Sequence, residues 1–179
     1  PIISFLAREA KGHGVPEVML AIILKGGLIR PRVAFVKAIA SSITIGTGGS
    51  VGREGPIVQI GSSIGSTLGA FFRVSPNRMK TFVGCGAAAG IAAAFNAPIA
   101  GALFAVEILL GDFTFMQFSP IVISSVTATV VSHIFEGDFA AFQVPPYELV
   151  SPYELVFYFI LGILCALISA VFIKFLYYC

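Results

Sequence analysis

The apolar positions of this 179-residue chain fall in runs, and few of those runs have the length of about 20 residues that crosses a bilayer as a single helix. Val15 to Ile29 is short and holds Glu17 and Lys25, while Ala38 to Gly52 and Gly55 to Phe72 are free of charge but divided by Arg53 and Glu54. This spacing predicts partial or tilted helices. Thr81 to Val106 is a longer uncharged run with Asn96-Ala97-Pro98 inside it. Proline disfavours a helical conformation in the residue before it, so this run is expected to break into two shorter helices. Phe113 to Phe135 and Leu155 to Ile173 read as two full spans. The polar stretch 136–151, with Pro145 and Pro146, reads as an extramembrane loop, and Ser151 and Pro152 supply N-cap and N1 signals for the last helix, 152–179.

Composition turns that pattern into a class. Hydrophobic residues make up 57% of the chain and charged residues 11%, with a mean hydropathy of +0.96, whereas about a quarter of a soluble domain is charged. The reading is an all-α integral membrane protein, multi-pass in a cell or inner membrane: a multi-helix bundle with tilted and broken half-helices in one transmembrane domain over 1–179. The formal charge of +2 and the absence of basic runs interleaved with aromatics exclude a nucleic-acid partner. Cys85, Cys165 and Cys179 stand at unrelated spacings in apolar surroundings, so buried free thiols are expected, with neither a disulfide framework nor a metal site. The chain opens at Pro1 without a cleavable signal peptide and closes on an apolar segment, and it reads as a piece of something longer.

Small residues predict how the helices meet. Gly61, Gly65 and Gly69 recur every fourth position, and Gly86 and Gly90 do the same. Such strips let backbones approach closely where no hydrophobic effect drives association, so tight packing is the reading preferred over a direct ligand role.

Two other glycine clusters carry the candidate chemistry. Gly12-His13-Gly14-Val15-Pro16 and Gly52-Arg53-Glu54-Gly55-Pro56 each open an apolar helix, with proline expected at N1. A helix that starts at membrane depth leaves its first N–H groups without partners, and with the macrodipole these make a positive, dehydrated pocket suited to an anion. Interrupted helices aimed at one site are the sequence signature of a transport path. Glu54 stands at the start of a charge-free stretch, where a charge costs at least about 2.5–3.5 kcal/mol, and is therefore read as handling ions or protons. The plainer alternative is a helix-terminal carboxylate offsetting Arg53.

Enzyme readings fail on detail. In Gly46-Thr47-Gly48-Gly49-Ser50-Val51-Gly52 the Gly-Lys-Ser/Thr of a P-loop is missing, and a dinucleotide fingerprint would need glycine where Val51 stands. No Gly-x-Ser-x-Gly elbow occurs, and His133 in its apolar helix is expected to be a packed or interfacial histidine. No catalytic residue and no cofactor are expected.

Three ordered stretches resemble the CLC family of chloride channels and proton/chloride antiporters. They are Gly12 to Glu17, Gly52 to Gly61, and Gly86-Ala87-Ala88-Ala89-Gly90 continuing through Asn96-Ala97-Pro98 to Gly101. The resemblance runs through the whole chain. It implies one half of an inverted-repeat pore to about residue 135, followed by the first helix of the second repeat, in a homodimer within a lipid bilayer, with chloride as the transported ion. Carried over, it makes Glu54 the gate and the backbone and side chains of Gly12, His13, Gly14, Val15, Pro16, Gly52, Arg53, Glu54, Gly55 and Pro56 the chloride-binding turns.

Two positions depart from that pattern. His13 stands where the family usually has serine, which opens the choice of anion, fluoride included. Glu107 matches a family glutamate and is read first as a structural partner near a helix end and second as a possible proton path. Ile108 stands where coupled antiporters commonly carry an internal proton-transfer glutamate, and isoleucine cannot relay a proton. The reading is therefore a voltage-gated-type chloride channel, with a proton-coupled chloride or fluoride antiporter as the alternative and a non-conducting helical scaffold subunit as the reading from a different class. The basic clusters Arg30, Arg32, Lys37 and Arg73, Arg78, Lys80 balance, so charge gives no sidedness. Tyr153, Tyr158, Tyr177 and Tyr178 are candidates for the membrane interfaces.

Overall fold

A computed structural model describes residues 7, 11–111, 114–137 and 151–178. Every element among the described residues is a helix, and the chain divides into a unit over 1–141 and a second over 142–179. In the first unit α1 is Val15–Leu24, α2 Arg32–Gly46, α3 Glu54–Phe71, α4 Pro76–Phe95, α5 Pro98–Phe104 and α6 Phe115–Glu136. α5 runs on into a π-helical turn, Ala105–Leu110.

The pair α3 and α4 forms the centre of this unit, and its glycines explain why. A side-chain carbon on Gly61 would collide with the Gly86 carbonyl oxygen, and one on Gly86 with that of Gly61. Gly65 meets the Phe82 carbonyl in the same way, so two backbones touch along three positions where any side chain would hold them apart. Around this seam Val58 of α3 and Val83 and Ala87 of α4 are buried with Val18 and Ile22 of α1 and Leu109 of the π turn. Ala88, Ala102, Ala105, Val106 and Ile121 form a second cluster that joins α4, α5 and α6.

Serine hydroxyls fasten the helices that glycine brings close. Ser66 on α3 donates to the Gly27 carbonyl at 2.8 Å and accepts from the Ile29 N–H at 2.8 Å, and Ser63 donates to the Arg30 carbonyl at 3.0 Å. The connection between α1 and α2 is thereby tied to α3. On the opposite flank Ser124 and Ser132 of α6 donate to the Cys85 and Ala93 carbonyls of α4 at 3.0 and 3.2 Å.

The break inside the long run falls where proline required it. α4 ends at Phe95, Asn96 takes the left-handed conformation with φ 52°, and Pro98 is the first residue of α5. His133 of α6 is half-buried, and its Nε2 lies 2.6 Å from the Asn96 Oδ1, which places it as a packed, hydrogen-bonded histidine at that break.

Several boundaries differ from those the apolar runs predicted. α2 occupies Arg32–Gly46, six residues ahead of the expected run from Ala38, because its first two turns carry Arg32 and Lys37 and the glycines after Gly46 end it. α4 begins at Pro76, since Ser75-Pro76 provides a start signal and the polar first turn holds Asn77, Arg78 and Lys80. Pro16 lies second and Pro56 third in their helices, where N1 was expected for both. The difference costs nothing in hydrogen bonds, because no N–H of the first turn has an intrahelical acceptor. The expected loop 136–151 falls mostly outside the described residues, as does Cys179.

The second unit is described by α7, Glu154–Tyr178, 25 residues long. The chain enters it through successive turn bonds, with the N–H groups of Glu154, Leu155 and Val156 donating to the carbonyls of Ser151, Pro152 and Tyr153. Met116–Glu136 and Glu154–Tyr178 are both long and apolar enough to cross a membrane. Cys165 on α7 is exposed, which corrects the expectation that it is buried, and Cys85 is half-buried. A helix apolar on every side offers the thiol no protein core to enter within its own unit.

Replacing Gly86 with leucine in the full-length protein should destabilise it by about 2–3 kcal/mol or more, because the added side chain meets backbone on α3. At Gly46 an added Cβ meets nothing within 4 Å, and Gly46→Leu should stay within about 0.5 kcal/mol. Thermal unfolding in detergent measures both.

Candidate anion site at two helix starts

The two glycine turns singled out in the sequence meet. Gly14 caps α1, and Gly55 is the second residue of α3. A side-chain carbon on Gly14 would strike the Gly55 carbonyl oxygen, and one on Gly55 would strike the His13 carbonyl oxygen. The chain can make this approach only with hydrogen at both positions. Gly12 and Gly14 also take φ values of +110° and +115°, which residues with a Cβ rarely adopt. Local backbone freedom and lack of bulk therefore act together to bring two helix N-termini to one place.

Each start contributes free donors. The first hydrogen bonds along the helices are Val18 N–H to the Gly14 carbonyl and Ile57 N–H to the Arg53 carbonyl. The N–H groups of Val15 and Glu17 on α1, and of Arg53, Glu54 and Gly55 on α3, thus precede the intrahelical ladder, while Pro16 and Pro56 have none. The positive ends of the two macrodipoles face a shared region. An anion is the ligand such an arrangement stabilises.

Beside the contact lies a cavity of about 380 Å³. Gly12, His13, Gly52 and Pro56 of the two turns line it, with Lys37, Ala40, Ser41 and Thr44 of α2 and the approach residues Ser50 and Val51. Four of the sequence-predicted residues are thus wall residues. Gly14 and Gly55 belong to the helix-start contact itself, and Val15 and Pro16 sit in the first turn of α1. The Glu54 side chain is exposed, and its carboxylate folds back over Gly52, where a Cβ would collide with Oε2. The Arg53 guanidinium turns towards the end of α4, 4.6 Å from the centroid of the Phe95 ring, a cation–π contact. Glu107 stands apart, exposed on the π turn beside Ile108.

Two residues that the sequence reading passed over hold the first turn in shape. Glu17 Oε2 accepts the Gly14 N–H at 2.7 Å, so the helix-start glycine is capped from the third residue of its own helix. Lys37, counted from sequence in a basic cluster with Arg30 and Arg32, is 5% exposed and donates from Nζ to the Gly12 carbonyl at 2.8 Å. Its burial was readable in spacing: Val33, Val36 and Lys37 follow the i, i+3, i+4 pattern of one helix face, and all three are buried.

With this geometry in view, comparison with known proteins is specific. The family model for voltage gated chloride channels matches residues 1–179. Chloride channel protein CLC-e of Arabidopsis thaliana is 39% identical over 170 residues, which is 90% of this chain and 24% of that protein. The H(+)/Cl(-) exchange transporter ClcA of Yersinia pestis bv. Antiqua (strain Angola) is 35% identical over 180 residues, 96% of this chain and 36% of that protein. The crystal structure of a slow cyanobacterial Cl-/H+ antiporter superposes with a TM-score of 0.76 at 26% identity, covering 91% of this chain and 39% of the other. The chain spans between about a fifth and two fifths of the length of such relatives.

Because Glu17 alone among these residues caps the Gly14 N–H, Glu17→Ala should cost the full-length protein about 1–2 kcal/mol. Glu17→Gln keeps an acceptor oxygen and should cost about half as much. Unfolding of the detergent-solubilised protein separates the two variants.

Proposed function

The chain belongs to the voltage-gated chloride channel family, and from that premise we propose that it forms one half of a chloride pathway in which Glu54 is the gate. Members of this family are multi-pass integral membrane proteins, and the two long apolar helices accord with that setting. The observation that carries the reading is the backbone contact of Gly14 with Gly55 and of Gly55 with His13, which points two helix N-termini at one region. Chloride is the transported ion, the bilayer the surrounding phase, and a second copy the partner in a homodimer; no cofactor takes part.

The proposed gate works by competition. Glu54 is the first residue of α3, so its ionised carboxylate occupies the same positive helix end that attracts chloride. Protonation removes the charge, and chloride itself displaces it; either event frees the path. Its fold over Gly52, one of the cavity wall residues, supports that role.

Passive conduction is the preferred mode, since Ile108 offers no proton at the position where coupled members carry a glutamate. Proton-coupled antiport is the second reading. The exchange transporter among the relatives and the exposed Glu107 on the neighbouring turn favour it. His13 in the cavity wall leaves fluoride as a competing substrate, to be resolved by anion competition.

In liposomes holding the full-length protein, Glu54→Gln, which removes the competing charge and keeps the side chain's size, should change chloride flux and flatten its dependence on pH. Unchanged flux at every pH would assign the chain to a non-conducting scaffold. A second measurement addresses coupling: an imposed chloride gradient should drive no uphill proton movement. Sustained proton uptake against its gradient would establish the antiporter.

A further inference from the structure

Away from the anion path, we propose that a cleft between α3, α4 and α6 holds one acyl chain of an anionic membrane phospholipid, whose headgroup phosphate sits on the basic connection from α3 to α4. The cleft lies wholly within the first unit and encloses about 800 Å³, inside the range of about 300–1,000 Å³ typical of small-molecule sites. Its polar and apolar walls are separated along α4. Ser75, Asn77 and Arg78 stand at the start of that helix, and Phe82, Cys85 and Ala89 line the cleft further along it. The rise from Asn77 to Ala89 is about 18 Å at 1.5 Å per residue. One leaflet of a hydrocarbon core about 30 Å thick is about 15 Å deep, so the cleft has the length of a single chain running down one leaflet.

Charge identifies the headgroup. Between Glu54 and Glu107 the sequence has no acidic residue, and its only charges there are Arg73, Arg78 and Lys80. All three fall at the α3–α4 connection, Arg73 and Arg78 are exposed, and none of their side chains makes an ion pair or hydrogen bond among the described residues. Clustered cations at the end of membrane helices attract anionic lipid. The turn itself gives no reason for one of them. α3 closes with the Arg73 N–H donating to the Ala70 carbonyl and the Val74 N–H to the Gly69 carbonyl, both at 3.1 Å, a motif whose left-handed position is ordinarily glycine. Arg73 occupies that position with φ 51°. Glycine would make the turn with less strain, whereas a bound phosphate gives the guanidinium a use. Phe71 and Phe72, exposed and with ring centroids 5.3 Å apart, precede it. Exposed aromatic rings beside cations mark the level of the headgroups. A protein helix would fill the apolar part of the cleft as well as a lipid chain does, but it would leave the charges at the mouth unanswered.

The test reads binding and needs no transport, so its outcome is independent of the chloride reading. Full-length protein in detergent is titrated with phosphatidylglycerol or with phosphatidylcholine of the same chains, and the lipid-bound species are counted by native mass spectrometry. Phosphatidylglycerol should bind at least about tenfold more tightly, since each basic residue near a lipid surface contributes about fivefold. Arg78→Gln should weaken phosphatidylglycerol about fivefold and leave phosphatidylcholine unchanged, and Arg78→Lys should stay within about twofold of the wild type. Glycerophosphoglycerol, the same headgroup without chains, should not compete at equal concentration, because it leaves the apolar walls empty. Equal affinity for the two lipids, or an Arg78→Gln protein that binds both like the wild type, would overturn the proposal. Competition by the chainless headgroup would overturn the role of the cleft, and a full-length protein that retains no lipid would show the cleft closed by protein. Where Arg78→Gln does not fold, the two wild-type comparisons decide by themselves.

Discussion

Everything in the first unit follows from how closely two peptide backbones can come together. At Gly61 and Gly86 the approach joins α3 to α4 and sets the core; at Gly14 and Gly55 it joins the starts of α1 and α3 and sets the site. The same physical condition, no Cβ on either side, serves both purposes. In a lipid solvent this is the available route to tight association, since apolar side chains gain nothing by leaving hydrocarbon for protein. Serine hydroxyls add direction to that closeness, with Ser63, Ser66, Ser124 and Ser132 each tying their helix to a carbonyl of a neighbouring segment.

Much of the site's positive character comes from the fold, beside the Lys37 ammonium in the cavity wall. Two helices that begin within contact distance present their unbonded amides to one region, and the proline in each first turn fixes φ where the N–H was not needed. Around this the charged residues divide their tasks. Arg53 is engaged with Phe95, Glu17 and Lys37 hold the first turn, and Glu54 alone folds over the second turn. On the proposed reading, a carboxylate at that point competes with an incoming anion for the same dipoles.

Much of this was legible in the chain itself. The glycine intervals predicted the α3–α4 seam, Asn96-Ala97-Pro98 marked the break, and the two glycine–proline turns marked the helix starts that meet, because each of these signals is local. What escaped depends on rotation about helix axes and on neighbours distant in sequence. Lys37 lies next to an uncharged run and near Arg30 and Arg32, so a count of basic residues groups it with them, although the phase of Val33 and Val36 turns it inward. The early start of α4 escaped for a related reason: polar first turns look like loops until the cap at Ser75-Pro76 is weighed. Cys165 was misread because apolar neighbours in sequence do not by themselves bury a residue.

The π turn at Ala105–Leu110 has a consequence of its own for how this segment tolerates change. Its defining bond runs from the Gly111 N–H to the Val106 carbonyl, five residues back, so the turn holds one residue more than an α-helix would need. Shortening the chain by one position there would tighten the coil to the ordinary pitch, but it would also turn Glu107 and Ile108 by roughly a quarter of a revolution relative to Leu109, which packs on Val18 and Val58. The wide turn therefore acts as a phase adjuster: it lets α5 keep its own register against α4 while Leu109 keeps another against α1.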